Sequence, residues 1–264
     1  MALLETHDLT VSYGGLNAND AVNIKVEHGM LVGLIGPNGA GKTTFIDAIT
    51  GFTPPSAGRV VFDGADLAAT SPAQRADLGL VRTFQSLELF EDLTVWDNLL
   101  TVAERPKWWS FLADMIVPNR PSAVAEQALW ALDLLGLGDM RDKLPTDLSH
   151  GQRKLVSVAR GLAAKPKLLL LDEPAAGLDT VESQMLGGLM RDFLKRDVTV
   201  FLIDHDMGLV LNVCDYIYVL DFGRIIAEGT PAQVRSNPTV IAAYLGETAG
   251  EMQAREGEAI SKGH

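Results

Sequence analysis

A single cysteine, Cys214, stands in a chain of 264 residues, so no internal disulfide can form and the fold must be held by its core. Cys214 lies in the apolar stretch Val213 to Tyr218, where a buried, inert thiol and a reducing compartment are expected. Long hydrophobic runs are missing too. The nearest to the roughly 18 apolar residues of a membrane span is Trp108 to Val117, which is short and contains Asp114. Positive charge is scarce: 22 Lys and Arg against 34 Asp and Glu give a formal net charge of -12, which argues against general attraction to nucleic acid or an anionic lipid surface. Any phosphate ligand must therefore be held by local geometry. Met1 to Val11 has neither the basic flank nor the apolar block of an export signal, so a cytoplasmic location is expected, with membrane contact only through partners.

Hydrophobic residues at 47% and charged residues at 21% are ordinary globular usage, and the length allows a sizeable core. Short β-rich runs open the chain at Leu9 to Tyr13, Val22 to Val26 and Leu31 to Ile35, with Gly14-Gly15 and His28-Gly29 as turns. A helix follows from Lys42 to Ile49, stopped by Gly51, and then a strand from Arg59 to Phe62. From Thr94 to about Gly161 the pattern is helical: Ala123 to Leu135 ends at Gly136, and Leu155, Val158, Ala159 and Leu162 recur at helical spacing. This predicts an inserted helical lobe over residues 94–161. Leu168 to Leu171 and Val198 to Ile203 are continuous apolar runs, as in strands of a parallel sheet covered on both faces. Between them Leu186, Leu189, Met190 and Phe193 form a helical stripe, and Tyr216 to Leu220 with Arg224 to Ala227 reads as a hairpin around Phe222-Gly223. Alternating strands and helices predict the α/β class. The polar tail, residues 247–264, has few anchors.

Gly36-Pro37-Asn38-Gly39-Ala40-Gly41-Lys42-Thr43-Thr44 matches G-x-x-x-x-G-K-[ST] between a buried strand and a helix, the context this motif requires. The glycines let consecutive N–H groups turn inward as an anion nest, and the helix start adds its positive dipole end. Lys42 supplies a point charge for the β- and γ-phosphates, and Thr43 a hydroxyl for Mg²⁺.

Leu168 to Pro174 drives an apolar strand into two carboxylates at its carboxyl end, where α/β sheets bind ligands. Beside a phosphate loop, Asp172 suits the Mg²⁺ shell and Glu173 suits the base that deprotonates an attacking water. Taken alone, the pair would also read as solvated acids at a strand mouth. Ser149 and Gln152 read as a helix capping box.

Gly36 to Thr44, Leu148-Ser149-His150-Gly151-Gln152 and Leu168 to Asp179 together resemble the nucleotide-binding subunit of an ABC transporter. The resemblance runs from about Leu3 to Gly246. It implies a single ABC ATPase domain over residues 1–246: a P-loop core with a mixed, mainly parallel sheet and an N-terminal antiparallel β subdomain, drawn from residues 1–93 and 162–246, and the inserted α-helical subdomain. ATP and Mg²⁺ are the implied cofactors.

Position by position, Tyr13 matches the aromatic that stacks on adenine, although alone it would also serve as a strand-edge core residue. Gln85 matches the glutamine that senses Mg²⁺ and the attacking water, His205 the histidine that bonds the γ-phosphate, and Asp179 the acid that links two sites across a dimer. Ser149, Gly151 and Gln152 match the helix start that meets the γ-phosphate held by the other subunit. The implied assembly is a homodimer, or a heterodimer with a paralogous ATPase subunit, closing head to tail around two Mg·ATP. It would work with two transmembrane permease subunits, indirectly with a substrate-binding protein, and with no nucleic acid. Its place is the cytoplasmic face of the inner membrane.

Gly33 to Thr44, Arg82 to Gln85, Leu168 to Gly177, His205-Asp206-Met207 and Ala243 to Gly246 further resemble the ATPase subunits of branched-chain amino acid importers. His150 and Leu178-Asp179 depart from that subfamily's usual pattern, so importers of urea or short amides stay open, as does an exporter. A soluble mechanical ATPase would need a second cassette, a long coiled-coil insertion or basic patches, none of which is visible. Trp108 and Trp109 read as lobe packing, or as a contact to the membrane partner.

Overall fold

The computed structural model describes residues 2–83, 89–103 and 123–244. In chain order the elements are β1 (Ala2–Tyr13), β2 (Leu16–Val22), β3 (Lys25–Glu27), β4 (Leu31–Ile35), α1 (Lys42–Thr50), β5 (Ala57–Phe62), β6 (Ala65–Asp66) and α2 (Pro72–Asp77). Then come β7 (Leu80–Thr83), α3 (Val95–Ala103), α4 (Ala123–Leu134), α5 (His150–Ala163), β8 (Leu168–Asp172) and α6 (Thr180–Leu194). The chain continues through β9 (Thr199–Ile203), α7 (Met207–Val213), β10 (Tyr216–Asp221), β11 (Arg224–Gly229) and α8 (Pro231–Arg235). Two compact units result, one from residues up to Arg75 together with those from Phe201 onward, the other from Ala76 to Val200.

In the first unit Gly14 and Gly15 take φ of 56° and 90°, a left-handed turn open to glycine, and fold β1 back on β2 with Tyr13 opposite Leu16. The β-rich run Val22 to Val26 proves to span the end of β2 and the start of β3. β1 pairs with β2 through its second half and with β3 through its first, and the Thr6 side chain bridges the switch. Its hydroxyl donates to the Val22 carbonyl at 3.0 Å and accepts from the Ile24 N–H at 2.9 Å, so the break leaves no polar group unpaired there. β5 lies antiparallel on the other edge of β1. β4 runs parallel to β10, from Val32 opposite Tyr216 to Ile35 opposite Val219, and β11 pairs antiparallel with β10, making the sheet mixed. Leu31, Leu34, Ile35, Phe45, Ile46, Ile49 and Phe201 fill the core, with the Phe45 and Phe201 rings edge to face at 6.4 Å.

Arg75, on the short helix α2 that lacks a readable period, is buried against the end of α1. Its Nη1 donates to the carbonyls of Ala48 and Ile49, each at 2.8 Å, and so adds to the capping of the helix C-terminus. Burial lowers its pKa below the ordinary guanidinium value. Gly33 in β4 is required by packing: a Cβ there would stand 2.7 Å from Val210 Cγ1 and 2.9 Å from the buried Cys214 Sγ.

In the second unit β7 and β8 pair in parallel, Leu80 opposite Leu168 through Thr83 opposite Leu171. All four leucines of β8 are fully buried, as expected of a strand covered on both faces. Helices α3, α4 and α5 pack on one another, and Val95, Leu99, Ala128, Ala131, Leu132, Val156 and Ala159 on them are buried.

Candidate nucleotide site

The glycine loop leaves the buried strand β4 and enters α1 at Lys42. Gly36, Gly39 and Gly41 have φ of 157°, 78° and 102°. A Cβ on Gly36 would lie 2.0 Å from the Leu220 carbonyl oxygen and one on Gly41 2.3 Å from that of Ala18, whereas Gly39 faces open space. Pro37 and Ala40 form a tight turn, the Ala40 N–H donating to the Pro37 carbonyl at 3.1 Å, and Asn38 is exposed at its tip. The buried Lys42 side chain folds back on the loop, Nζ donating to the carbonyls of Gly36 at 2.6 Å and Pro37 at 2.9 Å. Thr43 is exposed and Thr44 half-buried in the first turn of α1. A lysine inside a ring of backbone, at the N-terminus of a helix, fits a polyphosphate.

Asn19 is a supporting residue that sequence reasoning missed. Fully buried in β2, it donates from Nδ2 to the Gly41 carbonyl at 3.2 Å, tying the loop to the antiparallel sheet. The Gly223 N–H donates to the Ala40 carbonyl at 2.9 Å, a second tie from the β10–β11 turn. In the same unit Tyr13 ends β1 with 54% of its surface exposed, a platform free to take a base. His205 is also exposed, its Nδ1 3.6 Å from Oδ1 of the buried Asp204. Asp206 Oδ1 caps α7 by accepting from the N–H groups of Gly208 at 2.8 Å and Leu209 at 3.2 Å, which fixes the backbone just after the histidine.

In the second unit Asp172 ends β8 and Glu173 follows with φ of 47°, a left-handed conformation that is costly for a residue with a Cβ. Two cations hold this turn, neither given a role by the sequence pattern. Arg82 Nη2 lies 2.7 Å from Asp172 Oδ2. Lys154, a buried residue of α5, donates from Nζ to the Glu173 carbonyl at 3.1 Å, and the Ala176 N–H donates to the same oxygen at 3.2 Å. The Lys154 and Ala176 hydrogen bonds to the Glu173 carbonyl hold this strained residue in place.

Ser149 caps α5: its Oγ accepts from the Gln152 N–H at 3.2 Å, and Gln152 Oε1 accepts from the Ser149 N–H at 2.9 Å. The capping box foreseen from sequence is therefore formed. A matching box starts α6, where Asp179 Oδ1 accepts from the Glu182 N–H at 2.8 Å and Glu182 Oε2 accepts from the Asp179 N–H at 3.1 Å. The two helix starts meet. A Cβ on Gly151 would stand 2.5 Å from Glu182 Oε1, and one on Gly177 3.0 Å from His150 Nε2. Gln85, Trp108, Trp109 and the polar tail lie outside the described residues.

A carboxylate oxygen is a hard donor of the kind Mg²⁺ takes. Thr43 in the first unit and Asp172 in the second each carry a hard oxygen, and no cluster of three or more His, Cys, Asp or Glu among the described residues forms an all-protein metal cage. Mg²⁺ sites on phosphates ordinarily use one or two carboxylates, with phosphate oxygens and water as the remaining ligands.

A strand, glycine loop and helix with an inward lysine, in an α/β unit with a mixed sheet, define a P-loop nucleotide-binding protein. Residues 19–176 match the ABC transporter family, and residues 224–250 match a family described as branched-chain amino acid ATP-binding cassette transporter. The chain is 40% identical over 251 residues to the high-affinity branched-chain amino acid transport ATP-binding protein BraF of Pseudomonas aeruginosa, covering 93% of this chain and 98% of the relative. It is 38% identical to LivG of Escherichia coli strain K12, with the same description and the same coverage. A solved ATP-binding cassette of an ABC transporter in its ADP conformation has a TM-score of 0.83 at 34% identity, covering 94% of this chain and 100% of that one. The chain belongs to the ABC transporter family, as one of its ATP-binding cassettes, and its enzymatic class is ATPase.

Proposed function

We propose that this cassette binds and hydrolyses Mg·ATP to power import of branched-chain amino acids through two transmembrane permease subunits fed by a substrate-binding protein. The reading rests above all on similarity along 93% of the chain to the two transport ATP-binding proteins named above. Tyr13 stacks on adenine. The loop of Gly36, Pro37, Asn38, Gly39, Ala40 and Gly41 holds the β- and γ-phosphates through the N–H groups of its glycines and Asn38, with Pro37 and Ala40 shaping the turn and Lys42 and Thr44 adding their side chains, which lets an acidic chain bind a polyanion without a general positive field. Thr43, Asp172 and Gln85 hold Mg²⁺, which neutralises charge on the phosphates. Glu173 takes the proton from the attacking water, and His205 with Lys42 stabilises the charge that develops on the γ-phosphate.

The cassette acts as a homodimer or as a heterodimer with a paralogous subunit. Ser149, Gly151 and Gln152 of one chain meet the γ-phosphate held by the other, and Asp179 links the two sites. The close approach of the Ser149 and Asp179 helix starts at Gly151 and Gly177 supports this, because it sets the two segments side by side. No described helix is long and apolar enough to cross a membrane, which fits a subunit held at the cytoplasmic face by its permeases.

The test is reconstitution with the two permeases and the substrate-binding protein of a branched-chain amino acid importer, in vesicles supplied with ATP. ATP-dependent uptake of labelled leucine or valine is expected. Uptake of urea or a short amide in its place, or outward transport, would overturn the substrate or the direction while leaving the ATPase intact.

A further inference from the structure

Asp172 already has a cation from its own chain. Arg82 Nη2 lies 2.7 Å from Asp172 Oδ2, with the two side chains only 8% and 7% exposed. Arg82 sits in β7 opposite Leu170, two residues before the carboxylate, so the parallel register delivers the guanidinium to it. β8 is fully buried up to that point, and a carboxylate taken this far from water is costly unless a positive charge accompanies it. Guanidinium stays charged in such a place and presents a rigid set of donors, which a flexible ammonium does not.

We propose that Arg82 is a positioning residue that keeps the metal's place: it balances and orients the Asp172 carboxylate in the metal-free chain, and Mg²⁺ then competes with it for that carboxylate. The proposal rests on the assignment of Asp172 to Mg²⁺ above. When the metal shares the carboxylate, the hold on Arg82 weakens, because two cations then draw on one anion. Mg²⁺ affinity is thereby kept below what the carboxylate alone would give, which favours release of the metal with spent nucleotide.

The test titrates Mg²⁺ into the purified full-length chain with ADP, following nucleotide binding and thermal unfolding in wild type, Arg82→Met, Arg82→Lys and the double variant Arg82→Met/Asp172→Asn. Arg82→Met is expected to unfold at a lower temperature than wild type without Mg²⁺, and to reach half-saturation at about tenfold lower Mg²⁺. Mg·ADP should narrow its stability deficit. Arg82→Lys should shift in the same direction by less, and decides alone if Arg82→Met does not fold. The double variant, which removes both buried charges, should regain most of the lost stability and respond least to Mg²⁺. Half-saturation in the single variants at or above the wild-type concentration would overturn the proposal. A wild-type chain indifferent to Mg²⁺ would instead overturn the assignment of Asp172, a failure visible without any variant.

Discussion

Replacing Lys154 by Met tests whether the strained turn at Glu173 is maintained by the helix that begins at Ser149. The Nζ of Lys154 donates at 3.1 Å to the Glu173 carbonyl, and Glu173 has φ of 47°. A hydrogen bond from a charged donor contributes about 1.5–3 kcal/mol, and a left-handed residue with a Cβ costs about 1–2 kcal/mol. The two are of similar size, so without the lysine the turn has lost most of what offsets its strain. If the carboxylate spends most of its time misplaced by relaxation of that turn, a loss of about 1.4–2.8 kcal/mol in transition-state stabilisation lowers kcat roughly 10- to 100-fold. The KM for ATP should hold, because the glycine loop and Lys42 are untouched. Lys154→Arg, which keeps a charged donor, should restore much of the rate. Phosphate release over a range of ATP concentrations, with thermal unfolding on the same samples, reads both quantities. A folded Lys154→Met protein with wild-type kcat, or one whose loss is entirely in KM, would refute the reasoning.

Other substitutions probe the backbone around the site. Gly36→Ala places a Cβ 2.0 Å from the Leu220 carbonyl oxygen, so it should destabilise by about 4 kcal/mol or more, seen as loss of folded protein or a steep fall in the urea midpoint. Gly151→Ala pushes on the Glu182 carboxylate and opens the capping box of α6, costing about 1 kcal/mol in chemical unfolding; an unchanged midpoint would show that Glu182 moves aside freely. The Tyr218 phenol is pushed from its ordinary value of 10.0 to about 12, chiefly by burial, while its hydroxyl bonds both backbone groups of Lys25. Its contribution is therefore complete below about pH 10 and is lost as pH rises through about 12. Tyr218→Phe should be less stable at neutral pH and should lose less between those values, and identical alkaline profiles for the two proteins would contradict this.

Motifs and strands that depend on local rules could be read from the sequence. The Gly14-Gly15 turn, the all-apolar β8, the helix stop at Gly51 and the Ser149 capping box each follow from neighbours within a few residues. The break between β2 and β3 could not, because it depends on β1 changing partners and on the Thr6 hydroxyl filling the gap. The short helices α2 and α7 offer too few turns for a period to register, and Arg75 and Asp206 anchor them by contacts or caps instead. At the site, the glycine loop between β4 and α1 and the Ser149 capping box were legible because local chemistry fixes their spacing. Their supports were not: Asn19 reaches the loop from 22 positions away and Arg82 reaches Asp172 from 90 away. One clue was present, since Arg82 follows Leu80 and Val81 in a strand and a buried cation requires an anion.

The central claim is tested most directly by phosphate release from Mg·ATP by wild type and Glu173→Gln, with ATP binding measured on the same samples. Turnover lowered about 10²- to 10⁴-fold with ATP binding intact is the predicted result. Equal turnover by the two proteins would contradict it.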